Sequence, residues 1–159
     1  GGIAVMSVGA ATETEMNEIR SRIQDALRAT RSAASQGLLA GGGVALIQAS
    51  KALDQVEVAN EEERFGMDIL RKALEEPMRA LCSNAGYNGD VEVAKALEAQ
   101  PGFGLDCETG EYGDMIAMGV ADPAKVTVTA LQAAASVASL ILITNCSITE
   151  ADKKDKEEK

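Results

Sequence analysis

The sequence predicts a mostly α fold with small β elements, on three observations. A charged stretch from Thr12 carries one apolar stripe at helical spacing. Helix-start signals recur at Asn60, Asp90 and Asp122-Pro123. An uncharged, alanine-rich run then extends over residues 126–143. Strand signals are short and few, at residues 3–8, 103–110 and 146–149.

The first of these, Ile-Ala-Val-Met-Ser-Val closed by Gly9, reads as a strand, although one strand of this length needs partners to be stable. Thr12 and Glu15 then have capping-box spacing and set the start of a long helix. Met16, Ile19, Ile23, Leu27, Thr30 and Ala34 recur every three to four residues, which predicts one buried face. Glu18, Arg22, Asp25 and Arg28 occupy the other face, and Gly37 stops the helix. Gly41-Gly42-Gly43 opens into a second helix over residues 43–53. Glycines at a helix start let backbone amides approach an anion or sugar. The cluster lacks the Gly-Lys-Ser/Thr ending of a phosphate loop and the dinucleotide Gly-x-Gly-x-x-Gly spacing, so its residues alone favour a plain interhelical turn.

Asn60 followed by three glutamates predicts a third helix with Phe65, Ile69, Ala73 and Leu74 inward. Pro77 should end or kink it, with Met78, Leu81 and Cys82 continuing the apolar contacts. Asp90 is the expected cap of a short helix over residues 91–99, ended by Gln100-Pro101-Gly102. Residues 103–110 read as a strand and tight turn, with Thr109-Gly110 supplying the turn chemistry. Asp122-Pro123 pairs an N-cap with a first helical residue. The run over 126–143 is long enough to raise a membrane span, but Thr127, Thr129, Gln132, Ser136 and Ser139 interrupt it. A helix buried between other helices is the expectation. A last short strand over 146–149 and a solvated, disordered charged tail over 150–159 complete the chain.

Composition narrows the function. Lys plus Arg number 15 against 25 for Asp plus Glu, a net charge of −10, which works against nonspecific binding to nucleic acid or an anionic membrane. Aromatic content of 3% without Trp removes base-stacking platforms. Cys82, Cys107 and Cys146 lack metal-ligand spacing, and no histidine completes a zinc or Cys-His site, so no metal site is expected and free thiols in a reducing compartment are the default. Asn145-Cys146-Ser147 formally matches a glycosylation acceptor, but nothing in the composition suggests secretion. The start at Gly1-Gly2, with no initiator Met, reads as part of something longer.

Several stretches carry a resemblance. Gly9-Ala10-Ala11-Thr12-Glu13, Asp25-Ala26-Leu27 with Ala29-Thr30-Arg31, Gly37, and Ala40-Gly41-Gly42-Gly43-Val44-Ala45-Leu46 look like the group I chaperonin family, GroEL type. The likeness continues through Glu111-Tyr112-Gly113-Asp114-Met115-Ile116 and Asp122-Pro123-Ala124-Lys125-Val126. It implies the C-terminal part of an intermediate domain over residues 1–36, the C-terminal half of an equatorial, ATP-binding domain over 37–149, and a tail over 150–159. The family tail is commonly Gly-Met rich, unlike this one.

Resemblance also implies site residues. Asp25, by its residues alone a solvated ion-pair partner of the flanking arginines, matches the family aspartate that swings toward ATP and helps orient the attacking water. Gly42 and Asp122 match nucleotide-contacting positions, Asp122 at the ribose. Asp106, Cys107 and Glu108 match the stretch facing the base, where relatives usually carry smaller alanines, so backbone contacts are the ones that carry over. Gly37 matches the lower hinge. Phosphoryl transfer needs a phosphate cradle and Mg²⁺ ligands besides a water-positioning carboxylate. The family's Thr-Leu-Gly-Pro loop, its Asp-Gly-Thr-Thr-Thr motif and its apical domain are absent from this sequence. The chain would therefore hold half of a site for ATP and Mg²⁺.

The implied parent is an ATP-driven folding machine in the bacterial cytoplasm or an organelle matrix. Its partners would be other ring subunits, a cochaperonin and unfolded polypeptides, with no nucleic acid or membrane. The alternative is a standalone helical interaction module without ATPase activity. A long N-terminal region with the missing motifs in the gene product would distinguish the two.

Overall fold

The structure is a computed structural model that describes residues 2–149. The chain divides into two compact units, with the boundary in sequence between Val126 and Thr127. The expected tail over residues 150–159 lies outside the described residues.

In the first unit, helix α1 (Glu13–Gln36) begins where the capping signal lies, with the Thr12 hydroxyl accepting from the Glu15 amide at 3.2 Å. Gly37 ends it at φ +84°, a conformation that strains residues bearing a Cβ, and donates its amide to the Ala33 carbonyl at 2.7 Å. The expected buried face is not formed: no α1 residue is buried, and Leu27 is 48% exposed. Helical spacing defines a face that gains from burial without supplying its cover. The expected strand over residues 3–8 is likewise irregular and largely exposed, because no described segment pairs with it.

Strand β1 (Leu38–Ala40) pairs antiparallel with the late strand β4 (Ala121–Pro123), Leu39 opposite Asp122. This corrects the N-terminal cap expected at Asp122, since the last helix starts after Pro123. In sequence, the other core-forming elements lie between these two strands. Helix α2 (Val44–Ser50) follows the glycine turn and passes into a 3₁₀ turn (Lys51–Gln55), a shorter α-helix than the sequence suggests. Helix α3 (Glu61–Asn84) starts at Asn60, whose side chain accepts from the Glu63 amide at 2.8 Å, while the Glu63 carboxylate accepts from the Ala59 amide at 2.8 Å.

Pro77 does not end α3. Losing one ladder bond inside a helix costs roughly 3 kcal/mol, but Leu74, Met78 and Cys82 lie on one face across the proline and are buried. Their burial offsets that loss at about 1.5–3 kcal/mol per large apolar side chain. Phe65 and Ile69, expected inward, are exposed on the two turns that precede this packed segment.

Helix α4 (Gly89–Glu98) is capped by Asn88, whose side chain accepts from the Asp90 and Val91 amides at 3.1 and 3.3 Å. The expected cap, Asp90, instead accepts from Arg79 Nε at 2.7 Å and ties α4 to α3. The hairpin of β2 (Phe103–Leu105) and β3 (Tyr112–Asp114) forms as expected, with Gly104 opposite Gly113. One cluster joins these parts: Ala40, Val44, Ile47, Met78, Cys82, Val93, Ala96, Leu105 and Met115.

Residues 127–142 of helix α5 (Ala124–Leu142) make up most of the described part of the second unit. It is 19 residues long, with a window of mean hydropathy 1.5, and by length and composition alone could cross a membrane. The expectation that it is buried between other helices is not met, as none of its residues is buried. The expected strand over 146–149 is not formed either.

Candidate functional site

The glycine turn sits where β1 hands over to α2. Gly41 extends the β1–β4 ladder by donating to the Val120 carbonyl at 3.0 Å, and the Val44 amide closes on the Gly41 carbonyl at 3.2 Å. Gly42 and Gly43 take φ +66° and +80°. A Cβ on Gly43 would lie 2.7 Å from the Met78 amide nitrogen, and one on Gly42 would lie 2.8 Å from Met115 Cε. The turn is therefore pressed onto α3 and onto the segment after β3. Among the described residues, nothing accepts a hydrogen bond from the Gly42 or Gly43 amide, so two half-buried donors remain uncommitted at this point.

The β2–β3 turn adjoins it. Leu105, the last residue of β2, has its carbonyl oxygen 3.8 Å from where a Gly42 Cβ would stand. Asp106 organises the turn: its carboxylate accepts from the Glu108 amide and the Thr109 hydroxyl, both at 2.9 Å, and its carbonyl accepts from the Gly110 amide at 2.8 Å. The hydrogen bond from the Glu108 amide, then that from the Thr109 hydroxyl, holds the carboxyl below the usual aspartate range. Asp106 is thus engaged within the turn, while Glu108 is exposed and Cys107 packs against the core.

Asp122 is exposed on β4, two residues beyond the Val120 carbonyl that holds Gly41. Gly42 thus adjoins the residue that opens the 106–108 turn, and Asp122 stands on the strand paired with β1, which leads into Gly42. Asp25 does not join them. It lies twelve residues before Gly37, about 18 Å along a helix rising 1.5 Å per residue. Its carboxylate is 71% exposed and 3.8 Å from Arg28 Nη1. Gly37 itself is bound to the start of α5, its carbonyl accepting from the Ala124 amide at 3.0 Å.

The uncommitted amides and the exposed Asp122 carboxylate suit the sugar and polar edge of a nucleotide: amides donate, and a carboxylate accepts from ribose hydroxyls. Among the described residues, no three Asp, Glu, His or Cys side chains are grouped to hold a metal ion. The sequence reading missed Val120 and Met115 as supports of the glycine turn. The β4 pairing that places Val120 has no short-range signal, although Met115 lies within one of the resembling stretches.

Residues 1–152 match the family described as TCP-1/cpn60 chaperonin family. Among solved structures, the crystal structure of a group III chaperonin in the open state is similar, at 32% sequence identity with a TM-score of 0.76. The match covers 89% of this chain and 30% of that chain, so the present sequence spans under a third of that relative.

Proposed function

Since this chain belongs to the TCP-1/cpn60 chaperonin family, we propose that it is the C-terminal part of an ATP-dependent, ring-forming chaperonin subunit of the group I type. The observation that supports the proposal is that the Gly42 turn adjoins Leu105 at the start of the 106–108 turn, while Asp122 stands on the strand paired with β1, which leads into Gly42. The group I assignment rests on the resembling stretches, above all Ala40-Gly41-Gly42-Gly43-Val44-Ala45-Leu46.

In this reading residues 1–36 belong to an intermediate domain and 37–149 to an equatorial one. The Gly42 and Gly43 amides face the nucleotide, the backbone of Asp106, Cys107 and Glu108 lines the base, and the Asp122 carboxylate accepts from the ribose. Asp25 is the water-orienting carboxylate, carried to the site by rotation about Gly37, which suits its exposed position far from the other residues. ATP with Mg²⁺ supplies the transferable phosphoryl group, and the phosphate loops and magnesium ligands belong to polypeptide outside this sequence. Partners are identical ring subunits, a cochaperonin and unfolded polypeptides, in a bacterial cytoplasm or an organelle matrix.

The test is calorimetric titration of the full-length protein with Mg-ATP, alongside steady-state hydrolysis. Asp122→Ala should weaken binding about tenfold or more, as expected for a lost hydrogen bond to a charged group. Asp25→Ala should leave affinity within about twofold while reducing turnover about a hundredfold or more, the pattern of an interaction used only in the transition state. Unchanged affinity in Asp122→Ala would overturn the site. A small species indifferent to ATP in native mass spectrometry would favour an interaction module instead.

A further inference from the structure

Cys82 on α3 and Cys107 in the β2–β3 turn stand 25 residues apart in sequence, yet their sulfurs are 4.0 Å apart. Cys82 is 1% exposed within the core, whereas Cys107 is half-buried at its edge. A disulfide brings sulfurs to about 2.05 Å, so the two sulfurs must approach by about 2 Å to bond. Their environments differ. Burial first, then the neighbouring Cys107 and Glu92, push the Cys82 thiol up to about 11, which keeps it protonated at neutral pH. Cys107 is the sulfur that solvent reaches, which makes it the first point of attack.

We propose that Cys82 and Cys107 form a reversible dithiol–disulfide pair, oxidised by hydroperoxides, that fastens the β2–β3 turn to α3. The Cys107 sulfur attacks the terminal oxygen of the hydroperoxide and breaks the O–O bond. A sulfenic acid forms on Cys107 and an alcohol, or water from hydrogen peroxide, leaves. The Cys82 sulfur then attacks the sulfenic sulfur, an S–S bond forms, and the S–O bond breaks. The departing hydroxyl leaves as water with the proton from Cys82. Two thiols lose two electrons and two protons, and one hydroperoxide takes them up. Such transient disulfides are the kind found in reducing compartments. Because Cys107 lies in the turn assigned above to the nucleotide base, and resting on that assignment, the closed disulfide also restrains the turn and alters nucleotide affinity.

The full-length protein carrying Cys146→Ser is reduced, exposed to hydrogen peroxide, alkylated and digested with trypsin without reductant. Cleavage after Arg79, Lys95 and Lys125 separates the two cysteines. The expected product joins peptides 80–95 and 96–125 at about 2 Da below their summed mass, and dithiothreitol releases them. Cys107 gaining oxygen while Cys82 stays open to alkylation after denaturation would overturn the pair. Titration with a fluorescent ATP analogue then compares the oxidised and reduced forms. A change in affinity of about fivefold or more, absent in Cys82→Ala, is expected, and equal affinities with the cross-link present would overturn the coupling. Reduced protein that binds no nucleotide would overturn the assignment of the turn to the nucleotide, and the cross-linked peptides would still decide the thiol pair.

Discussion

Gly43 and Gly66 are the same residue type under opposite constraints. At Gly43 a methyl group would lie 2.7 Å from the Met78 amide nitrogen and φ is +80°, so Gly43→Ala meets both a clash with backbone and left-handed strain. The expected loss is about 2 kcal/mol or more. Gly66 lies inside α3 with no atom within 4 Å of an added Cβ. There Gly66→Ala should stabilise by up to about 1 kcal/mol, because it restricts the unfolded chain and favours the helix. Urea midpoints of the two variants should therefore move in opposite directions, and parallel shifts would contradict the packing of the glycine turn. Asp106 gives a pH signature on the same scale. Its folded pKa is lowered by the Glu108 amide and the Thr109 hydroxyl, so its contribution is fully present above the unfolded aspartate pKa and is lost as pH falls through the lowered value. Acid should loosen the 106–110 turn, and Asp106→Asn should remove that pH dependence, as read by amide exchange at Gly110.

Among the elements, α3 and α4 show how local signals compete with packing. Asn88 and Asp90 are both acceptable caps, and the structure chooses Asn88 because Asp90 is held by Arg79. Arg79 also meets Glu75 at 2.9 Å and Glu76, and these carboxylates, Asp90 foremost, raise its pKa. Asn88→Ala should cost about 1 kcal/mol through the lost cap. Asp90→Ala should cost less, since the Asp90 side chain is 81% exposed and such exposed pairs contribute roughly 0–1 kcal/mol. Thermal unfolding that ranks the two variants the other way would return the cap to Asp90. Met78→Ala, in the fully buried segment beyond Pro77, should cost about 2–5 kcal/mol. The same substitution at exposed Phe65 should be nearly silent. At about 100° per residue Ile69 lies opposite Met78 and Phe65 about 140° from it, so α3 carries two apolar stripes, and only contact with α2 and α4 selects the one through Leu74, Met78 and Cys82.

At the scale of the molecule, α1 and α5 carry apolar surface that the described residues do not cover. Leu140, Ile141 and Leu142 on α5 are 63%, 67% and 83% exposed, and Met16 and Leu27 on α1 are also open. Apolar patches of this kind mark surfaces that gain from association. Residues 1–159 taken alone should self-associate, with a light-scattering mass above 16.5 kDa that rises with concentration. Ile141→Glu should reduce it. A wild-type chain that stays monomeric across the concentration range would show that these faces need no partner.

The sequence by itself determined the helical class, the caps at Thr12 and Asn60, the stop at Gly37 and the hairpin after Gly102. Each depends on backbone geometry and hydrogen bonds between residues close in the chain. The resembling stretches likewise point to the chaperonin family. Tertiary structure decided the rest: the pairing of β1 with β4, the choice of Asn88 over Asp90, the continuation of α3 through Pro77, and the approach of Cys82 to Cys107. These depend on contacts between residues distant in sequence, whose energies outweigh local preferences of about 1–3 kcal/mol and leave no periodic trace in the chain.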